Sequence, residues 1–449
     1  MENERLRTEK IPKLLLSLSL PAISAQIVTL IYSAVDRIYI GRMADGALAM
    51  AGLGIALPII TIVSAFASLF GRGGAPYAAI CMGQNENERA ESYLGTSFSM
   101  LLLLSLVLTV IVYGFCDPLL LLFGASAQTL PYAHDYLATY ALGTVFVQMT
   151  MGMNYFITTQ GFAKTAMFTT MLGAMLNIVL DPLFIFAFGM GVRGAALATV
   201  LSQMISFLWV LGFLFGKKTV LRIRRRFLAL SWKRIREICV LGSAPFFMTA
   251  TEGLLNLCFN RQCAAFGGDM AVSAMTVLFM LSQFLSLFTG GVAQGSQPIV
   301  SYNYGAGAYD RVRATLRLCF GANITASMIG GGLMCLFPVW FLQLFNNDPA
   351  LLAIGAPMLR VYIVGAMFMG AHSSFQQAYT SMGEGKSALL FAFMRKIALL
   401  IPLIYLLPAV LPWGILAVMF AEPVSDIATA VFNAFHYRRF LRKHLPTEA

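Results

Sequence analysis

Twelve long apolar runs follow one another along the chain, near residues 14–41, 48–82, 93–115, 132–159, 165–188, 194–215, 238–266, 270–303, 314–343, 351–381, 387–408 and 413–435. A helix needs about 20 apolar residues to cross the hydrocarbon core of a bilayer, and every run reaches that length. Several exceed it, so tilting or projection from the membrane is expected. Barrel strands would alternate over about 10 residues, and these runs do not alternate. Composition agrees: 58% of the 449 residues are hydrophobic and 11% are charged, against about 45–50% and about 25% in soluble domains. The chain therefore reads as an all-α integral membrane protein with twelve transmembrane helices.

Charge placement gives an orientation. Nine basic residues (Lys217, Lys218, Arg222, Arg224, Arg225, Arg226, Lys233, Arg234 and Arg236) fall between the sixth and seventh runs. Others lie in the opening segment "MENERLRTEKIPK", after the eighth run (Arg311, Arg313, Arg317) and at the C-terminus (Arg438, Arg439, Arg442, Lys443). Twelve crossings put all four regions on one side, the pattern of a multi-pass plasma-membrane protein with both ends cytoplasmic. The opening segment lacks a small-residue cleavage site and reads as a retained tail. The net charge of +11 is thus a topology signal and a contact for membrane lipid headgroups, not a nucleic-acid footprint. The seven cysteines lie in or beside apolar runs without metal-ligand spacing and read as small core residues.

The second half repeats the first. Pro21 aligns with Pro245, Pro76 with Pro298, Gly83 and Arg89 with Gly305 and Arg311, Tyr140 and Gly143 with Tyr362 and Gly365. Gly161 and Lys164 align with Gly383 and Lys386, and Pro182 with Pro402, while the offset drifts only from 224 to 220. Each copy holds an even number of helices, so both enter the membrane from the same side. The expected organisation is a cytoplasmic tail (1–13), an N-terminal lobe of helices 1–6 (14–215), a basic linker (216–237), a C-terminal lobe of helices 7–12 (238–435) and a cytoplasmic tail (436–449). The lobes would be related by a pseudo-two-fold axis along the membrane normal. Parallel repeats of this kind are a transporter architecture, in which one lobe rocks against the other around a central site.

Inside the apolar runs a few polar residues stand out. The stretch "LNIVLDPLFIF" places Asp181 and Pro182 in a helix, with Asn177 one turn before the carboxylate. Tyr32 and Asp36 have the same four-residue spacing, which puts each pair on one helix face. By depth, Tyr32, Asp36, Asn177, Asp181 and Thr199 can converge on one polar pocket in the outer half of the N-terminal lobe. A carboxylate in hydrocarbon costs several kcal/mol unless it is paired, hydrated or protonated. Two together can take up a proton on one side and release it on the other, or hold a sodium ion with the Asn and Thr oxygens as further metal ligands. Pro182 deprives the Ile178 carbonyl of its donor and permits a bend. The bland alternatives are a structural cap at Asp181 and an Asp36 pair with neighbouring Arg37.

The segments "LSLPAISAQIVTLIYSAVDRIYIGR", "LNIVLDPLFIF", "GAALATVLSQ", "GGAP" and "GSQP" resemble the multidrug and toxic compound extrusion family over essentially the whole chain. The resemblance implies two six-helix lobes around a V-shaped cavity and export of small organic cations or amphiphiles, driven by inward proton or sodium flow, with no other cofactor. It also carries the family's cation site onto Asp36, Asn177, Asp181 and Thr199, with Tyr32 beside them. One branch of the family uses acidic residues on the seventh and tenth helices; Glu252 fits the seventh, whereas the tenth run has no Asp or Glu. Glu252, Asn154, Met280 and Gln283 are candidates for binding the exported compound. Arg395, Lys396 and Asp426 match in depth and are expected to form an ion pair that holds the C-terminal lobe; Glu422 shares the face of Asp426 or lines the cavity.

Two other classes were weighed. A flippase for lipid-linked sugars predicts a basic cavity, whereas most Arg and Lys lie in the cytoplasmic loops, with Arg72, Arg261, Arg395 and Lys396 the exceptions to watch. An intramembrane enzyme would need H-E-x-x-H, G-x-S-x-G or a clustered acidic motif, none of which occurs. The chain is read as a non-enzymatic, monomeric transporter.

Overall fold

The computed structural model describes residues 2–446 and contains, among them, helices and no strand. The spans are α1 (Ile11–Gly41), α2 (Gly46–Gly83), α3 (Asn87–Gly114), α4 (130–159), α5 (Ala163–Ala187) and α6 (Gly191–Phe215) in the N-terminal lobe. The C-terminal lobe has α7 (232–267), α8 (269–305), α9 (Tyr309–Leu336), α10 (Pro349–Ser381), α11 (Gly385–Val410) and α12 (Ile415–His444). Residues 232–305 are helical almost throughout, but Gly268 takes φ 65° and ψ −164°. There the chain reverses: the Phe259 and Phe279 rings meet edge to face at 5.7 Å, which a straight helix at about 1.5 Å per residue could not allow.

Several helices start before their apolar runs. α3 begins at Asn87 and α7 at Trp232, because polar first turns continue a helix into the interface where water satisfies the orphan N–H groups. Lys233, Arg234 and Arg236, placed by the sequence in the basic linker, therefore lie on α7. The expected C-terminal tail is likewise helical as far as His444; residues 447–449 and Met1 lie outside the described residues.

The duplication is visible in the backbone. Asn85 and Gly307 have φ of 62° and 72°, and Gly161 and Gly383 have 95° and 79°, so each copy turns at the same points through a left-handed residue. α5 ends in a π-turn, Leu183–Ala187, just after Pro182, and α11 carries one at Met394–Leu400, just before Pro402. A proline without its N–H leaves a carbonyl free and favours such a widened turn.

The lobes meet in the half of the molecule that carries the basic segment. Gly73 and Gly242 allow α2 and α7 to touch backbone to backbone: a Cβ on Gly242 would run into the Leu69 carbonyl, and one on Gly73 into that of Ile238. Thr159 donates to Gln297 at 3.0 Å, Tyr77 to the Gly383 carbonyl at 3.2 Å, and Arg311 to the carbonyls of Leu6 and Glu9 at 3.1 and 2.8 Å. The basic segment is itself fastened to the N-terminal lobe. Gln160 accepts from the Thr219 hydroxyl and from the N–H groups of Val220 and Leu221, each at 2.8 Å, and Arg224 pairs with buried Glu91 at 2.8 Å.

In the C-terminal lobe, Arg395 grips Asp426 with two bonds, Nε to Oδ1 at 2.6 Å and Nη2 to Oδ2 at 3.0 Å. Asp426 is fully buried and Arg395 is 13% exposed, so this pair ties α11 to α12 inside the lobe. Lys396, expected as a second partner of Asp426, turns elsewhere: Nζ donates to the Met248 carbonyl at 3.0 Å and lies 3.7 Å from Glu252. Adjacent helical residues point about 100° apart, so Arg395 and Lys396 cannot share one carboxylate.

Two outcomes test this packing. Arg395→Met, which strands Asp426, is expected to cost about 3–5 kcal/mol and lower the melting temperature in detergent, whereas Arg395→Met/Asp426→Leu should recover much of it. Equal melting of the single and double variants would contradict the pair's role. In a cysteine-free background, a Thr159→Cys/Gln297→Cys pair should cross-link the lobes, with the yield falling severalfold on adding Gly242→Val; an unchanged yield would refute the glycine contact as the determinant of closure.

Candidate functional site

Three helices of the N-terminal lobe bring four polar side chains together. Asp36 comes from α1, Asn177 and Asp181 from successive turns of α5, and Thr199 from α6. Asp36 is 8% exposed, Asn177 2% and Asp181 fully buried. The Asn177 amide nitrogen donates to Asp181 Oδ1 at 3.1 Å and lies 3.3 Å from Thr199 Oγ1, which turns its carbonyl oxygen away from both. Asp36 Oδ1, Asn177 Oδ1 and Asp181 Oδ2 are buried without a hydrogen-bond partner. Among the described residues neither carboxylate has a basic group within 4 Å, and Arg37 is exposed. Buried acceptors left this way cost free energy unless a donor or a cation enters. An all-oxygen set of two carboxylates, an amide and a hydroxyl suits a proton or a hard cation.

Tyr32 lies one turn before Asp36 and faces a cavity of about 270 Å³ that is also lined by Pro21, Gln26, Asn154, Gln203 and Gln294. Asn154 donates to the Ala166 carbonyl at 3.1 Å, leaving its own oxygen unpartnered. Two residues not anticipated from the sequence complete the surroundings. Tyr136 and Tyr140, in the first half of α4, stack at 6.4 Å with 12° between ring planes. Tyr136 interacts with the Thr199 side chain and with Asp36, and Tyr140 with Tyr32 and Ser64. Their four-residue spacing, the same as that of Tyr32 and Asp36, was the available signal.

The C-terminal lobe holds a second cavity, of about 320 Å³, lined by Glu252, Asn256, Gln283, Tyr362, Lys396 and Glu422 among others. Glu252 is 57% exposed beside Lys396, and Glu422 lies 3.6 Å from Arg395, so Glu422 both shares the ion-pair face and lines the cavity. α10 supplies Tyr362 and no carboxylate; the second acid comes from α12. Met280 is 43% exposed and does not line this cavity. His372 Nε2 donates to the Asp426 carbonyl, 3.1 Å away. At the far end of the N-terminal lobe, Cys116, read as a core residue, is buried yet lies with Asp117 and His134 so that their ligand atoms are within 4.8 Å of one another. The sequence hid this trio because α4 brings His134 back from a distant position.

The profile of the MatE family matches residues 21–183 and 245–406, one segment in each lobe. The multidrug export protein MepA of Staphylococcus haemolyticus (strain JCSC1435) is 25% identical over 430 residues, covering 94% of this chain and 92% of the relative. MepA of Staphylococcus aureus (strain N315) is 24% identical over 429 residues, covering 94% and 93%. An outward-facing multidrug resistance MATE family transporter of the MOP superfamily superposes with a TM-score of 0.91 at 21% identity, over 99% of this chain and 98% of the other. A MOP superfamily transporter from Pyrococcus furiosus Vc1 (DSM3638) gives the same values, a TM-score of 0.91 at 21% identity over 99% and 98% of the two chains. With both repeats matched by one profile and the twelve-helix, two-lobe fold shared throughout, this membrane protein belongs to the MatE family.

Proposed function

We propose that the protein is a secondary active exporter of small organic cations and amphiphiles, working by alternating access and driven by inward flow of protons or sodium ions. The observation that carries this reading is the group of buried, unpartnered oxygens on Asp36, Asn177 and Asp181, with no basic side chain within 4 Å of either carboxylate among the described residues. A proton or sodium ion entering there cancels one of the two carboxylate charges and supplies a missing partner. Thr199 adds a fourth oxygen, Tyr32 links the cluster to the neighbouring cavity, and Tyr136 and Tyr140 exclude water from its outer side.

Both carboxylate-bearing helices also carry a proline. α1 contains Pro21 and α5 ends at Pro182 followed by its π-turn, so charge neutralisation at Asp36 and Asp181 acts on helices already able to bend. The lobes touch at the end that carries the basic segment, which charge placement assigns to the cytoplasm together with both termini of a plasma-membrane protein. This corresponds to a state open toward the outside, in which the coupling ion enters and the exported compound leaves. The staphylococcal relatives are multidrug export proteins by name, which supports the same direction. The polar residues of the two cavities, Asn154 in one and Glu252 and Gln283 in the other, would contact the compound. One chain carries both lobes, so a monomer suffices and no chemical step is needed.

The test is efflux of ethidium from proteoliposomes with a proton gradient or a sodium gradient imposed separately. Wild type should export under at least one gradient, and Asp181→Asn, with unchanged gel-filtration behaviour, should reduce that efflux to the protein-free rate. Efflux independent of both gradients, or undiminished in Asp181→Asn, would overturn the proposal.

A further inference from the structure

The duplication also repeats the cavities, but the side chain that each receives from the opposite lobe differs in charge. The cavity near the N-terminal site is lined by Pro21, Thr150, Asn154, Thr158 and Gln294. A third cavity, of about 220 Å³, is lined at the equivalent positions by Pro245, His372, Gln376, Thr380 and Arg72. The offsets are those found from the turn residues. Gln294 of α8 reaches across to the N-terminal cavity, and Arg72 of α2 reaches across to the C-terminal one. In each case the lobe interface contributes one side chain from the opposite lobe, neutral in the first cavity and cationic in the second.

Among the described residues the Arg72 guanidinium makes no ion pair or hydrogen bond; it lies over the ring of Tyr155, 5.5 Å from the centroid. Arg395, the other cation in the lining, is already held by Asp426. The lining contains no carboxylate. The Gln376 amide nitrogen, at the position equivalent to Asn154, is buried without an acceptor. An arginine at membrane depth without a partner is costly and is expected to serve a ligand or pathway, and its planar fork matches a carboxylate or phosphate in two-point contact.

We propose that Arg72, with Gln376, is a binding site for the anionic group of an amphiphile, so that the exporter takes compounds bearing a carboxylate or phosphate as well as simple cations. This rests on the export reading for its physiological meaning, while the binding itself requires no transport. The neutral N-terminal cavity and the cationic C-terminal cavity then accept different ends of a zwitterionic compound, or different compounds.

The experiment uses full-length protein in phosphatidylcholine nanodiscs and fluorescence polarisation of two dyes, a rhodamine with a free carboxylate and its ethyl ester. They share a chromophore and differ by one charge. Arg72→Gln, which installs the amide found at the equivalent position of the other cavity, should lower the affinity ratio of carboxylate dye to ester by about tenfold, the worth of a charge-assisted hydrogen bond. Arg72→Lys keeps the charge without the fork and should lower it less, which also covers failure of the glutamine variant to fold. An unchanged ratio in both variants would overturn the proposal. In nanodiscs containing phosphatidylglycerol, wild type should retain the carboxylate dye; its displacement there would assign the site to a lipid phosphate and overturn the assignment to an exported compound. Because no gradient is applied, a failed efflux assay leaves this result standing, and a failed binding assay leaves the efflux result standing.

Discussion

Two carboxylates held in a low-dielectric lobe without a basic partner set the terms for the rest of this structure. Ionised, Asp36 and Asp181 repel each other; one proton or sodium ion bound there cancels one of the two charges and relieves that repulsion. Asn177 makes the arrangement one-sided. Its nitrogen is spent on Asp181 and Thr199, so only oxygens remain for the incoming ion. The same residues lie on helices interrupted by Pro21 and Pro182, which gives the change in charge a mechanical outlet.

The two copies of the repeat have resolved the problem of buried charge in opposite ways. In the C-terminal lobe Asp426 is neutralised permanently by the two-point grip of Arg395, and such a pair favours one rigid arrangement. The N-terminal lobe leaves its acids unpaired. On the proposed reading one lobe serves as frame and the other as ion-responsive element, although their backbones turn at equivalent residues. The cavities show a further difference of the same kind, Gln294 in one and Arg72 in the other.

Much of this was legible in the sequence because membrane helices are specified by length and apolarity, and lobes by spaced glycine and proline. The four-residue spacings of Tyr32 with Asp36 and of Asn177 with Asp181 were enough to group the cluster's residues on helix faces. Other features depend on tertiary contact and left no local signal. Gln160 anchors three groups of the basic segment, which the sequence marks only as a basic linker. Lys396 turns to Glu252, since its neighbour Arg395 occupies the face toward Asp426. Arg72 and Gln294 each serve the opposite lobe's cavity, a crossing that only lobe packing reveals. Helix ends also ran past the apolar runs, because polar turns at the interface lie beyond what hydropathy marks.

The most direct measurement is cation binding by the protein alone, without substrate or gradient. Radioactive sodium binding at equilibrium and proton uptake after a pH jump would be compared in wild type and Asp36→Asn/Asp181→Asn. The account predicts one sodium ion or proton taken up by wild type and lost in the double variant, whose fold is unchanged. Equal uptake by both proteins would show that the buried oxygens are not the ion site, and the assignment of coupling to this cluster would fail.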